Sequence, residues 1–249
     1  MPAAALRRRS PSFAVSGGEL GRPAVHDVSL RELRKYVFDC FLDTARAPLL
    51  EEIMRRFHLG REDASQRLHE LEAAHHLVLV PGTDRILTAD PFSNLPTPFR
   101  VSTGPMQYYA NGAWDAIAMH VMLDWDVHIA SFCHHCGVPI ELGLSQGRLT
   151  TDRAKDVLVF LGTPVARWYD NPVESGANSV VFFASRDHLN SWQKIHPRSV
   201  GPALSVDKMV SVVTPMSRGR AALEYEMPST DQLMAHWSAL GLAGPFWTF

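Results

Sequence analysis

Residues 101–142 read VSTGPMQYYANGAWDAIAMHVMLDWDVHIASFCHHCGVPIEL, and this stretch decides the fold class. Val101 to Tyr109 is strand-like but broken at Gly104-Pro105, where a turn is cheaper than continued extension. Ala113 to Leu123 is a strongly apolar helix with a single acid, Asp115, in its first turn. Val127 to Phe132 alternates as a strand, Cys133-His134-His135-Cys136-Gly137 makes a turn, and Val138 to Leu142 returns as another strand. Strands interrupted irregularly by helices predict an α+β protein rather than regular βαβ units.

Working toward the C-terminus, Gly147–Thr150, Val157–Leu161 and Val180–Ala184 read as further strands. Ser185 caps a helix that runs to about His196 and stops at Pro197. Asp207–Val213 and Ser229–Leu240 read as two more helices. Toward the N-terminus, three helical pieces are expected. One starts after the capping side chains at Asp27-Val28-Ser29, one spans 46–58 with Pro48 in its first turn, and one runs from Arg61 to His76. A hairpin, Leu77–Val80 to Ile86–Leu87, follows. Three helices and a hairpin form a winged-helix-like pattern over residues 26–90. Residues 91–100 carry three prolines and are expected to be a linker with no helix or central strand, its Phe92, Leu95 and Phe99 packed. The remainder, 101–249, forms the second domain, with a mixed sheet. Residues 1–25 read as a disordered tail, because no apolar run follows Arg7-Arg8-Arg9.

Composition narrows the function classes. Lysine and arginine total 24 against 26 acids, a net charge of −2. A dedicated nucleic-acid binder usually carries a basic face. The candidate recognition helix instead carries Glu62, Asp63, Glu70 and Glu72 against Arg61 and Arg67, which repels phosphate. Nucleic acid is therefore not expected as a partner. No apolar run reaches membrane-spanning length. Three cysteines are too few for a disulfide framework, so reduced thiols and a cytoplasmic location are expected. A small-molecule substrate is the expected partner, and a homodimer stays open.

Asp115 is the leading acid/base candidate. The helix N-terminus favours its ionised form while burial favours the protonated one, and no second carboxylate lies nearby in sequence. Cys133-x-x-Cys136 has chelating spacing, with His134 or His135 as candidate nitrogen ligands and His120 or His128 as remoter ones. Zn(II), Cu(I) or Hg(II) would suit such donors. Without a metal, the same segment is a tight turn of small residues. His120 is expected to be a satisfied core histidine, and His75-His76 a solvated helix end.

Several segments together resemble the organomercurial (alkylmercury) lyase family. They are Tyr109–Ala116, Ser131–Ile140, Asn178–Ser185 with Trp192 and His196-Pro197, and the proline-rich 91–99. The resemblance implies protonolysis of a carbon–mercury bond, with two cysteine thiolates gripping the metal and an aspartate handling the proton. Carried over position by position, the aspartate falls on Asp115 and a third, structural cysteine on Cys133. The two thiolate positions fall on Gly112 and Ala177, neither of which can ligate a metal through its side chain. The expected reading is a diverged member with a rebuilt site. Asp115 is its acid/base, and Gly112, Ala177 and Asn178 line a pocket enlarged by the lost side chains. The alternatives are a metal-binding or mercury-resistance protein using Cys133 and Cys136, or a non-catalytic winged-helix regulator.

Overall fold

The computed structural model describes residues 28–249; the expected tail at 1–25 lies outside them. The first three helices are α1 (Leu30–Thr44), α2 (Leu50–Phe57) and α3 (Arg61–Ala73). Ser29 and Glu32 form a reciprocal capping box at the start of α1, satisfying amide groups that have no partner inside the helix. Pro48 precedes α2 instead of sitting in its first turn. Leu33, Val37, Phe38 and Phe41 of α1 are buried with Ile53, Leu68 and Leu71, the apolar stripe that the helical spacing promised.

The hairpin β1 (Val78–Leu79) and β2 (Ile86–Ala89) follows the helices, as expected. It then continues into the rest of the sheet through β3 (Phe92–Ser93), which pairs with both β2 and β5 (Met106–Ala110). The expectation that residues 91–100 hold no central strand is therefore wrong. Pro91, Pro96 and Pro98 flank the two strand residues, so no ladder hydrogen bond is lost to a proline. Phe92 and Phe99 are buried as expected, whereas Leu95 is exposed.

The large sheet adds β4 (Arg100–Thr103), β6 (Val127–Phe132), β7 (Pro139–Ser145) and β8 (Arg148–Leu149) in the order β1-β2-β3-β5-β4-β6-β7-β8. A second sheet, β10-β9-β11, comprises β9 (Leu158–Leu161), β10 (Val180–Phe183) and β11 (Ala203–Ser205). The architecture is α+β, and every ladder is antiparallel where a mixed sheet was expected.

The remaining helices are α4 (Ala113–Leu123), α5 (Pro172–Ala177), α6 (Arg186–Ile195), α7 (Val206–Ser217) and α8 (Thr230–Ala239). Helix α4 is buried along most of its length and packs against α7. Pro215 inside α7 has no N–H to offer the carbonyl of Ser211 four residues earlier. His236 of α8 supplies the missing donor, its Nε2 lying 2.9 Å from the Ser211 oxygen. Trp237 donates to the next carbonyl, Val212, at 3.1 Å. The proline defect in one helix is thus the docking point for another.

Candidate functional site

A cleft of about 700 Å³, including its open mouth, lies between α4, α5 and the end of α7. Asp90, Asp115 and Arg220 line it together with Trp114, Trp168 and Tyr169. Asp115 sits at the third position of α4, and its carboxylate accepts the N–H of Gly112, the residue that precedes the helix. Only 8 % of Asp115 is exposed. Burial holds its carboxyl well above the usual carboxylate range, and the Asp90 carboxyl raises it further, against the opposing charge of Arg220. Burial also raises Asp90, and Arg220 again opposes it. Two like charges in one buried site cannot both ionise cheaply, so the charge of one opposes ionisation of the other. Asp90 is the carboxylate that sequence proximity could not supply. It stands 25 positions from Asp115 and reaches it by way of the β2–β3 connection.

Arg220 is itself held in place. Arg34 of α1, 3 % exposed, donates to the backbone carbonyls of Arg220, Ala222 and Leu223. Both guanidinium groups also face the Tyr225 ring, at 5.3 Å for Arg34 and 5.9 Å for Arg220. His76 is not the solvated helix end expected. It is half-buried, and burial plus the charges of Arg220 and Arg34 lower it to about 4. Its neighbour His75 stacks on Tyr169 at 4.1 Å.

The expected pocket residues Gly112, Ala177 and Asn178 do not line the cleft; Asn111 and Gly176, beside the first two, do. Nor is the space at Gly112 vacant. A β-carbon there would overlap the carbonyl of Gly176, and one on Gly176 would overlap the Asn111 side chain. Asn111 donates to the carbonyls of Pro172 and Val173 at 3.3 and 3.4 Å. The backbone of α5 therefore occupies the volume that the lost side chain at position 112 was expected to open.

Cys133 and Cys136 lie elsewhere. They flank the turn after β6, and neither lines the cleft. Their third neighbour is His188 of α6, and one potential ligand atom from each of the three lies within 4.8 Å of the others. Burial pushes the Cys133 thiol up, but N–H groups of Ala184, Cys136 and His135 and the His188 ring bring it below its ordinary value. The expected ligands His134 and His135 are not part of this group. The His134 ring packs edge-on to Phe183 and Trp192, while the His135 ring lies 5.9 Å from that of His188. His120 is a satisfied core histidine, as expected. Nδ1 lies 2.6 Å from the Trp125 carbonyl oxygen, and Nε2 accepts from the Gly147 N–H. His128 is engaged by Glu141 at 2.8 Å. His188 went unread because it stands 52 residues from Cys136, and its place in the first turn of an amphipathic helix gave no local signal.

The family model of alkylmercury lyase matches residues 92–217, half of the chain. The chain belongs to the alkylmercury lyase family. The alkylmercury lyase of Staphylococcus epidermidis is 31 % identical over 106 residues, 42 % of this chain and 48 % of that protein. The alkylmercury lyase of Streptomyces lividans is 27 % identical over 114 residues, 45 % and 51 % of the respective chains. The chain thus spans about half the length of the curated relatives it matches. The solved mercury-bound form of MerB2 superposes with a TM-score of 0.63 at 19 % identity, covering 78 % of this chain and 91 % of that one. That likeness supports the fold. Among the described residues no helix is long and apolar enough to cross a membrane.

Proposed function

We propose that this alkylmercury lyase family member is a lyase-type enzyme acting on a small organic molecule, with Asp115 as its proton donor and Asp90 as its proton acceptor. One observation carries the reading. Two carboxyl groups and a guanidinium are buried together in a cleft walled by Trp114, Trp168 and Tyr169. Family members that use two thiolates need sulfur beside the acid, and no cysteine lines this cleft among the described residues. The chemistry at Asp115 is therefore read as rebuilt.

Of the pair, Asp115 is raised well above the usual carboxylate range by burial and by Asp90, which suits it as the proton donor, while Asp90 beside Arg220 is assigned the acceptor role. Such a pair supports elimination. Asp90 takes a proton from carbon, and the C–H electrons become a new π bond. The bond to the leaving heteroatom breaks with its electrons, and Asp115 gives its proton to that atom. No outside co-reactant is needed. The aromatic wall suits an apolar substrate body, and Arg220 suits a polar or anionic group. The free thiols Cys40, Cys133 and Cys136 fit a reducing cytoplasm.

The test is proton-NMR turnover of a panel of β-substituted carboxylic acids, run beside phenylmercury with excess thiol. The expected result is an elimination product from the panel, slowed by about 10²–10⁴-fold in Asp115→Asn, and no benzene from phenylmercury. Benzene release that depends on Cys133 and Cys136, or elimination unchanged in Asp115→Asn, would overturn the reading.

A further inference from the structure

We infer that Cys133, Cys136 and His188 form a mononuclear Zn(II) site separate from the Asp115 cleft. The separation follows from β10. Val180, at one end of the strand, lines the cleft, whereas Ala184, just past the other end, donates its N–H to Cys133 Sγ at 3.4 Å. Four residues of extended chain span roughly 13 Å. A metal held by these sulfurs is thus out of direct proton-transfer reach of Asp115.

The distances fit an ion better than they fit a hydrogen bond. His188 Nδ1 lies 3.4 Å from Cys133 Sγ and 3.5 Å from Cys136 Sγ. One ring N–H points well at one acceptor, not equally at two. A tetrahedral zinc about 2.3 Å from sulfur and about 2.0–2.1 Å from nitrogen puts each sulfur roughly 3.5 Å from that nitrogen. The turn is also shaped for the task. Gly137 takes φ +73°, and its N–H donates to the Cys133 carbonyl at 2.8 Å, closing the loop that sets the two sulfurs side by side. Cys133 is buried and Cys136 exposed, so the site has a fixed inner ligand and an open outer side. Two thiolates plus one imidazole are a donor set that suits Zn(II). The group has three ligands among the described residues, which leaves a fourth position for water or an exogenous thiolate.

The full chain, purified reduced and without a histidine tag, is stripped with chelator and equilibrated with Zn(II) for elemental analysis, then with Co(II) for spectroscopy. The expected result is one equivalent of metal, with thiolate-to-cobalt charge transfer and the intense visible bands of a tetrahedral site. Cys136→Ser and His188→Gln each lose bound zinc and weaken those bands. Cys136 is exposed, so its variant keeps the fold, which circular dichroism verifies. Asp115→Asn keeps both zinc and spectrum, so loss of the proposed elimination chemistry and loss of the metal site are read separately. Absence of stoichiometric binding by the reduced parent, or parent-like binding by both ligand variants, would refute the site.

Discussion

Gly112 and Gly176 meet backbone to backbone at the edge of the cleft, where a β-carbon on Gly112 would overlap the Gly176 carbonyl and one on Gly176 would displace the Asn111 amide. The contact takes the place where the family resemblance puts a metal-gripping cysteine. Helix α5 is drawn down onto the start of α4, and Asn111 fastens it there through two carbonyls.

A first consequence concerns reversal of the two cysteine losses. Gly112→Cys should destabilise the chain by about 1–3 kcal/mol, as overpacking does. Gly112→Cys combined with Ala177→Cys should not create a mercury-cleaving thiol pair. Denaturant unfolding and benzene release from phenylmercury check both points. A double variant as stable as the parent and active on phenylmercury would show that α5 yields easily.

A second concerns pH. Asp115 is raised by burial and then by Asp90. The folded state therefore keeps a proton that the unfolded chain releases. Stability contributed by the neutral carboxyl is present at low pH and declines as pH rises above the ordinary carboxylate range toward the raised folded value. Asp115→Asn, neutral at every pH, should remove that decline and equal or exceed parent stability at neutral pH. Urea midpoints measured between pH 4 and pH 8 test this; a parallel pH dependence in parent and variant would contradict it.

His76 has the opposite sign. Burial and the charges of Arg220 and Arg34 bring it from 6.5 to about 4. The folded chain refuses a proton that the unfolded chain accepts, so stability falls as pH drops from 6.5 toward 4. His76→Gln should flatten this acid limb. The same urea series reports it, and an unaltered limb would place His76 in water.

Arg34 does not itself line the cleft, yet it fixes the backbone that carries Arg220. Arg34→Met should orphan the buried carbonyl of Arg220 and cost about 1–3 kcal/mol, while the Ala222 carbonyl keeps the Tyr225 N–H. If Arg220 contacts substrate, the variant should raise KM more than it lowers kcat. Arg34→Lys should restore stability in part, since an ammonium cannot span the same carbonyls in a planar fork. Unchanged stability in Arg34→Met would mean that solvent satisfies the Arg220 carbonyl.

Local periodicity carried most of the secondary structure. The apolar run at 113–123 and the strands at 127–132 and 180–183 came out close to their expected limits, because each signal is written within one element. The six-residue helix α5 and the three-residue strand β11 left too few residues for a period, and β3 hid between prolines. Asp115 was legible as an acid out of place on an apolar helix. Cys133 and Cys136 were legible as a chelating pair.

Sequence alone determined the α+β class, the family resemblance, the isolated acid and the paired thiols, since each is expressed in short segments read one at a time or in their order along the chain. Tertiary structure alone decided that Asp90 and Arg220 join Asp115, that His188 joins the two cysteines, and that α5 fills the space at Gly112. Those partners lie 25 to 105 positions away along the chain. Their meeting depends on how helices and sheets pack, which no local pattern of residues encodes.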